Sequence, residues 1–104
     1  MRQVDYDTGY ALRDLREGRI DCRTKIIREG EWYIVQLWDN PIAWYDGHTL
    51  VVDSCGYYTL TTVNRLNGIL NAICSGTIRR KNGIFFLRGE EWDGKRKAIC
   101  GDVD

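Results

Sequence analysis

Two turn signals constrain the fold of this chain more than any other feature. Asp46-Gly47 separates the apolar runs at residues 42–45 and 49–53, and Asn82-Gly83 lies near the middle of residues 77–88. Both dipeptides tolerate the positive φ angles that a tight two-residue hairpin requires. The sequence therefore predicts antiparallel hairpins at two separate places.

The chain around the first signal alternates with a period of two. Apolar runs at residues 25–28, 32–38, 42–45 and 49–53 are separated by Glu29-Gly30, Asp39-Asn40 and Asp46-Gly47. This pattern is typical of strands joined by short turns and predicts an antiparallel meander of three or four strands. Because residues 32–38 are apolar on both faces, their strand is expected to be central or covered on two sides.

Residues 62–73 have helical periodicity and predict the main helix. The apolar positions on one face are Val63, Leu66, Ile69, Leu70 and Ile73. The positions predicted to point away from the core are Asn64, Arg65, Gly68 and Asn71. The hydroxyl of Thr61 or Thr62 is expected to cap the start of this helix.

A shorter helix is predicted over residues 7–18, with an Asp or Thr side chain at its start and Gly18 at its end. The predicted fold class is α+β: an antiparallel sheet, made of the meander and a C-terminal hairpin, packs against the main helix. Residues 1–104 are expected to form a single domain, in which residues 89–104 are either an edge strand or a mobile tail.

Composition supports a self-sufficient core and an intracellular location. Of 104 residues 43% are hydrophobic, and four are tryptophan, which supplies large buried areas. No apolar stretch is long enough for a membrane span, and the N-terminus lacks the apolar core of a signal peptide. We therefore expect a protein of the host-cell cytoplasm with no membrane contact.

The four cysteines, Cys22, Cys55, Cys74 and Cys100, are scattered, and His48 is the only histidine. Without C-x-x-C spacing or a secretion signal, these cysteines are expected to be buried, reduced thiols. No metal site and no cofactor are predicted.

A more specific pattern runs from Trp38 to Leu70. It consists of Asn40-Pro41-Ile42-Ala43, then Asp46-Gly47-His48-Thr49-Leu50, then Ser54-Cys55-Gly56-Tyr57, then Thr59, Thr61-Thr62 and Arg65-Leu66-Asn67. In order and spacing it resembles a family of small bacteriophage proteins with the pattern S-x-G-aromatic-x-T-x-T-T-x-x-R-L-N before an apolar helix. The resemblance covers about a third of the chain and implies a viral or mobile-element origin.

The same motif forms a candidate anion or ligand corner. Its residues are Gly56, Tyr57, Thr59, Thr61, Thr62, Arg65 and Asn67. Hydroxyls and a guanidinium near a helix N-terminus suit a phosphate, so a nucleotide or cyclic dinucleotide is one possible ligand. In the alternative interpretation, the threonines cap the helix while Arg65 and Asn67 bond to local backbone. The chain contains no Walker-type loop.

Basic residues near the C-terminus form a second candidate site. They are Arg79, Arg80, Lys81, Arg88, Lys95, Arg96 and Lys97. If antiparallel pairing gathers them into one patch, they could contact nucleic-acid phosphates. Tyr33, Trp44, Tyr45, Phe85 and Phe86 would then be stacking platforms, although their alternation fits a core better.

The residues indicate no catalytic centre. His48 lies in a tight turn and is expected to be solvent-exposed, and Glu90, Glu91 and Asp93 lie beside Lys95-Arg96-Lys97 as a solvated charge run. The formal net charge is zero, which argues against a protein that binds nucleic acid mainly through phosphate contacts.

These observations favour a non-enzymatic phage or mobile-element accessory protein that binds a host protein or protein complex. A host-defence inhibitor, such as an anti-CRISPR protein, is the specific form of this hypothesis. Nucleic-acid binding is the alternative, and sheet edges make a homodimer possible.

Overall fold

The computed structural model describes residues 1–56 and 59–100 and confirms the α+β class. The helices are α1 (Gln3–Arg13) and α2 (Leu60–Ile73). The strands are β1 (Gly18–Arg19), β2 (Thr24–Glu29), β3 (Trp32–Leu37), β4 (Asn40–Tyr45), β5 (Leu50–Val52), β6 (Ile78–Lys81), β7 (Ile84–Leu87), β8 (Glu90–Trp92) and β9 (Lys97–Cys100). The strands form two antiparallel sheets rather than one.

The larger sheet has the strand order β1-β2-β3-β4-β5-β9. The predicted meander supplies four of its strands, β2 to β5, while the unpredicted β1 adds to the edge beside β2 and β9 adds to the edge beside β5. The β3–β4 turn consists of Trp38 and Asp39 rather than the predicted Asp39-Asn40, because Leu37 pairs with Asn40. Further along this pair a register shift next to Val35 accommodates Ile42, which is 1% exposed.

The smaller sheet has the order β6-β7-β8 and contains the predicted hairpin at Asn82-Gly83. Residues 89–104 were predicted as an edge strand or a tail; their described part forms β8 in this sheet and then β9 in the larger one, and residues 101–104 lie outside the described residues. Ser54 fixes the connection, because its hydroxyl donates a 2.7 Å hydrogen bond to the carbonyl oxygen of Gly94.

The main helix begins earlier than predicted and buries a second face. Thr59, not Thr61 or Thr62, is the N-cap residue. Arg65 and Gly68 were expected to point away from the core, but both are buried. That expectation is wrong because α1 packs along this face, so α2 is covered from two sides.

The N-terminal helix also differs from the prediction of residues 7–18. It begins at Gln3, since the Asp5 carboxylate accepts a 2.8 Å hydrogen bond from the backbone N–H of Arg2. Thr8 is inside the helix, where its hydroxyl donates to the carbonyl oxygen of Val4. The helix ends at Arg13, before Gly18.

The two helices cross at a pair of glycines. A Cβ on Gly9 would lie 2.1 Å from the carbonyl oxygen of Gly68, and one on Gly68 would lie 2.0 Å from that of Asp5. Only glycine permits this approach. The close crossing brings Asp5 of α1 against Arg65 of α2.

One hydrophobic core joins the helices to both sheets. Its fully buried members include Leu12, Leu66 and Ile69 of the helices, Val35 of β3 and Phe85 of β7. The helices therefore cover one face of the larger sheet.

Candidate functional site

The corner from Ser54 to Asn67 contains a capped helix start. The Thr59 hydroxyl accepts a 3.3 Å hydrogen bond from the backbone N–H of Thr62 and lies 3.1 Å from the Thr62 hydroxyl. Gly56 has φ +78°, the positive value expected for it. Tyr57 lies outside the described residues. The hydroxyls of Thr59 and Thr62 therefore already have partners within the chain.

Arg65 does not face these hydroxyls, because its side chain is entirely buried. Its Nη1 donates to the Asp5 carboxylate, and its Nε donates to the Thr24 hydroxyl at 3.0 Å. Nη2 lies 4.0 Å from the Asp21 carboxylate and has no hydrogen-bond partner within the described parts of the chain. Arg65 thus connects α1, α2 and β2 and is not open to a ligand.

Asp21 completes this cluster at the surface. Burial acts to raise the pKa of Asp21, but hydrogen bonds from the Arg23 backbone and from Thr24, together with the charge of Arg65, lower it overall. The carboxylate is therefore held ionised beside Arg65.

Asn67 also has a structural position. Its side-chain amide donates to the carbonyl oxygen of Ile78 at 2.9 Å and accepts from the N–H of Ile78 at 2.7 Å. This bidentate contact attaches β6 to α2. Of the described corner residues, Gly56 and Thr59 are exposed and Thr61 is half-buried, whereas Thr62 is buried. Arg65 and Asn67 instead bond to other elements of the fold.

The seven basic residues are not gathered into one patch. Arg79 and Lys81 alternate with Arg80 along β6, so they lie on the opposite face of the smaller sheet from Arg80. Arg88 lies in the β7–β8 turn and donates hydrogen bonds to the carbonyl oxygens of Ser75 and Ile99. Arg88 therefore bridges two backbone segments.

The last three basic residues lie near the larger sheet. The Arg96 guanidinium lies 4.2 Å from the centre of the Trp44 ring and 3.7 Å from the Asp53 carboxylate. Lys95 and Lys97 line a shallow depression together with Glu91 and Asp93. This depression has mixed charge, so it is not the uniformly basic surface that was predicted.

The turn between β3 and β4 is a site that the sequence analysis missed. Trp38 and Asp39 both have positive φ, at +53° and +65°. Left-handed backbone costs a non-glycine residue about 1–2 kcal/mol. Trp38 is nevertheless 61% exposed, so burial does not explain a tryptophan here.

A pocket of about 330 Å³ lies beside this tryptophan. Its apolar wall comes from Leu37, Trp38 and Ile42, and its polar rim comes from Asn40, Thr59, Thr61 and Thr62. Leu60, which is 61% exposed, lies next to this rim in the chain. We call this pocket and its two exposed apolar side chains the Trp38 surface.

The remaining candidates are surface features. His48 is exposed, as predicted, and its backbone N–H donates to the Asp46 carboxylate. Hydrogen bonds from the backbones of Thr49 and His48 lower the pKa of Asp46. The four cysteines are free thiols, but Cys22 is exposed and the other three are only half-buried, contrary to the expected burial. Within residues 1–56 and 59–100, no group of acidic, histidine or cysteine side chains is arranged to hold a metal ion.

Comparison with known families decides the origin of the chain. A family model described as Kyanoviridae Gp96 protein matches residues 1–99. The chain belongs to this Gp96 family. The predicted relationship to a family of small phage proteins is thereby confirmed, and the Gp96 match extends to both flanks of the motif. No curated protein and no solved structure matches this Gp96 family member. Neither helix of its described residues is long and apolar enough to cross a membrane.

Proposed function

We propose that this Gp96 family member is a non-catalytic phage accessory protein that binds a host protein through the Trp38 surface. Occluding a host protein is also how a host-defence inhibitor, such as an anti-CRISPR protein, would act in the host cytoplasm. The observation that carries the proposal is Trp38 itself, which is exposed in a backbone conformation that disfavours it. Strain of this kind is concentrated at functional positions.

The chemistry of the Trp38 surface indicates what the partner presents. An apolar side chain of the partner would fill the pocket against Leu37 and Ile42, and Trp38 would pack over it. Asn40 and Thr61 on the rim offer hydrogen bonds to the main chain of the same partner segment. Tryptophan is one of the residue types that are enriched at binding hot spots.

A pull-down from host lysate, with and without nuclease, identifies the partner, and the purified pair then gives the dissociation constant. Trp38→Ala should raise this constant by about thirtyfold, which corresponds to a hot spot of about 2 kcal/mol. Tyr10→Ala is the matched control, because Tyr10 is another exposed aromatic ring beside an arginine. Equal binding by the wild type and Trp38→Ala would contradict the proposal.

Nucleic-acid binding is a second candidate, supported by one pocket of the smaller sheet. Arg79, Phe86 and Arg88 line a depression of about 310 Å³, in which a ring lies with two cations. This combination suits a single strand. Binding should weaken log-linearly with salt, and Arg79→Ala should reduce the slope. If the protein does not retard a single-stranded nucleic acid in a gel at low salt, nucleic-acid binding is excluded.

A further inference from the structure

The larger sheet has one apolar face that no helix covers. Strand register places Ile27, Ile34, Trp44, Val51 and Ala98 in one row across five strands. The residues that pack against the helices, such as Val35, belong to the opposite face. The row therefore faces outward.

Ile34 shows that this face has an apolar centre of its own. It is only 5% exposed, yet it does not belong to the core shared with the helices. Ile34 lines a pocket of about 370 Å³ with Trp32, Trp44 and Val51. A stripe of apolar side chains around an open pocket is typical of an interaction surface.

The charges around this pocket indicate what covers it. Glu29 on β2 and Arg96, just before β9, line the pocket from strands on either side of Trp44. Arg96 is held over Trp44 and lies 3.7 Å from the Asp53 carboxylate, yet its side chain remains 64% exposed and open to a second carboxylate. One acidic and one basic group thus flank an apolar centre.

This arrangement is complementary to itself. If a twofold axis passes near Trp44, Glu29 of each copy meets Arg96 of the other, while the apolar rows pack together. Two sheets can pack face to face in this way, with interdigitating side chains. We propose that a second copy of this chain covers the face, forming an isologous homodimer.

The proposal is tested by measuring molar mass in solution across a wide range of protein concentration. The wild type should change from monomer to dimer as concentration rises. Glu29→Arg and Arg96→Glu should each leave the protein monomeric, because each variant places like charges opposite one another. The double variant should recover the dimer, since it restores both pairs with reversed sign. Glu31→Arg and Lys95→Glu are exposed charge reversals outside the pocket and should dimerise normally.

Circular dichroism checks that every variant is folded. The concentration series of the wild type tests the dimer even if a variant fails to fold. A wild type that is monomeric at all concentrations would overturn the proposal. A dimer that neither single charge reversal weakens, or one that the double variant fails to recover, would also overturn it. Trp38→Ala should still dimerise, because the Trp38 surface lies beside the helix start and not in this row. The test is thereby independent of the proposed host partner.

Discussion

The hairpins at Asn82-Gly83 and Trp38-Asp39 have the same kind of turn but different side chains. Each turn has two residues, both with positive φ. Asn-Gly is the combination that this geometry favours, whereas Trp-Asp satisfies it poorly. Local turn chemistry explains the first turn, but it does not explain the second.

A third hairpin shows how contacts within the chain can offset the cost of a positive φ angle. Arg88-Gly89 joins β7 to β8, and Arg88 has φ +54°. Its side chain forms hydrogen bonds with Ser75 and Ile99, which offset the backbone cost. The Trp38 ring contacts the Arg23 guanidinium at 5.3 Å, and the Trp38 backbone N–H and carbonyl oxygen bond to the Arg23 carbonyl oxygen and the Asn40 amide. Most of the Trp38 side chain is nevertheless exposed. Under the proposed function, contacts with the host partner would offset the remaining backbone cost at Trp38.

The largest effect is expected at Arg65, whose buried charge is balanced by Asp5 within the same chain. Replacing it with methionine leaves the buried Asp5 carboxylate without its counter-charge, so we expect the free energy of unfolding to fall by about 3–5 kcal/mol. Denaturant unfolding measures this change. Arg16→Met is the control, because the Arg16 side chain is 67% exposed in its ion pair and should matter little.

The double variant Asp5→Asn with Arg65→Met separates pairing from packing. It should recover part of the loss, since no uncompensated charge remains in the core. A loss below 1 kcal/mol in Arg65→Met would mean that Arg65 is not part of the folded core and would reopen the ligand corner.

The next largest effect is expected at the favourable turn. Asn82→Trp copies the side chain of the β3–β4 hairpin into the β6–β7 hairpin and should lower the free energy of unfolding by about 1 kcal/mol. Thermal or denaturant unfolding measures the change. Asn82→Asp is the control, because aspartate also tolerates this conformation. An unchanged stability in Asn82→Trp would show that tryptophan carries no cost in such a turn.

Much of the fold could be predicted from the sequence, because the turn chemistry and the apolar periods agree there. Asn82-Gly83 forms the predicted two-residue turn, and the main helix ends at Ile73 as expected. Asp46-Gly47 joins two strands where predicted, but its loop has four residues rather than two, because Tyr45 pairs with Leu50. The turn at Trp38 was misplaced by one residue, because Asp39-Asn40 is locally the better turn. Strand register decided the outcome, and register depends on cross-strand packing.

The candidate site was harder to predict, because its residues are also placed by contacts between elements that are distant in the sequence. Arg65 looked like a surface cation because helical periodicity showed only one apolar face, and the second face exists through the crossing of Gly9 and Gly68. One signal was available: Arg65 is the only Lys or Arg between residues 31 and 76. A single cation in an apolar helix is a candidate for a buried pair. By contrast, nothing in the sequence marked Trp38 as exposed.

The reverse exchange should stabilise the protein while removing its proposed function. Trp38→Asn with Asp39→Gly gives the β3–β4 hairpin the turn chemistry of Asn82-Gly83 and should raise the free energy of unfolding by about 0.5 kcal/mol. The gain is small because the contact with Arg23 is lost. The same variant should no longer bind the host partner, whereas Asp39→Gly alone should retain binding. A double variant that is less stable by more than about 1 kcal/mol would show that Trp38 serves the fold.

The smallest expected effect concerns Asp21, which lies at the edge of the Arg65 cluster. The folded-state pKa of this carboxyl is lowered from its usual value near 3.8, so its stabilising contribution is complete above that value and is lost as the pH falls through the folded pKa. Asp21→Asn should therefore lower the melting temperature at neutral pH, and the difference from wild type should shrink as the pH falls below about 4. Asp39→Asn is the comparison, because the Asp39 carboxylate is 86% exposed in its pair with Lys25 and such an exposed pair contributes little to stability. If Asp21→Asn and Asp39→Asn behave alike, the Arg65 cluster draws no support from its surface carboxylate, and Asp5 and Thr24 alone hold the buried guanidinium.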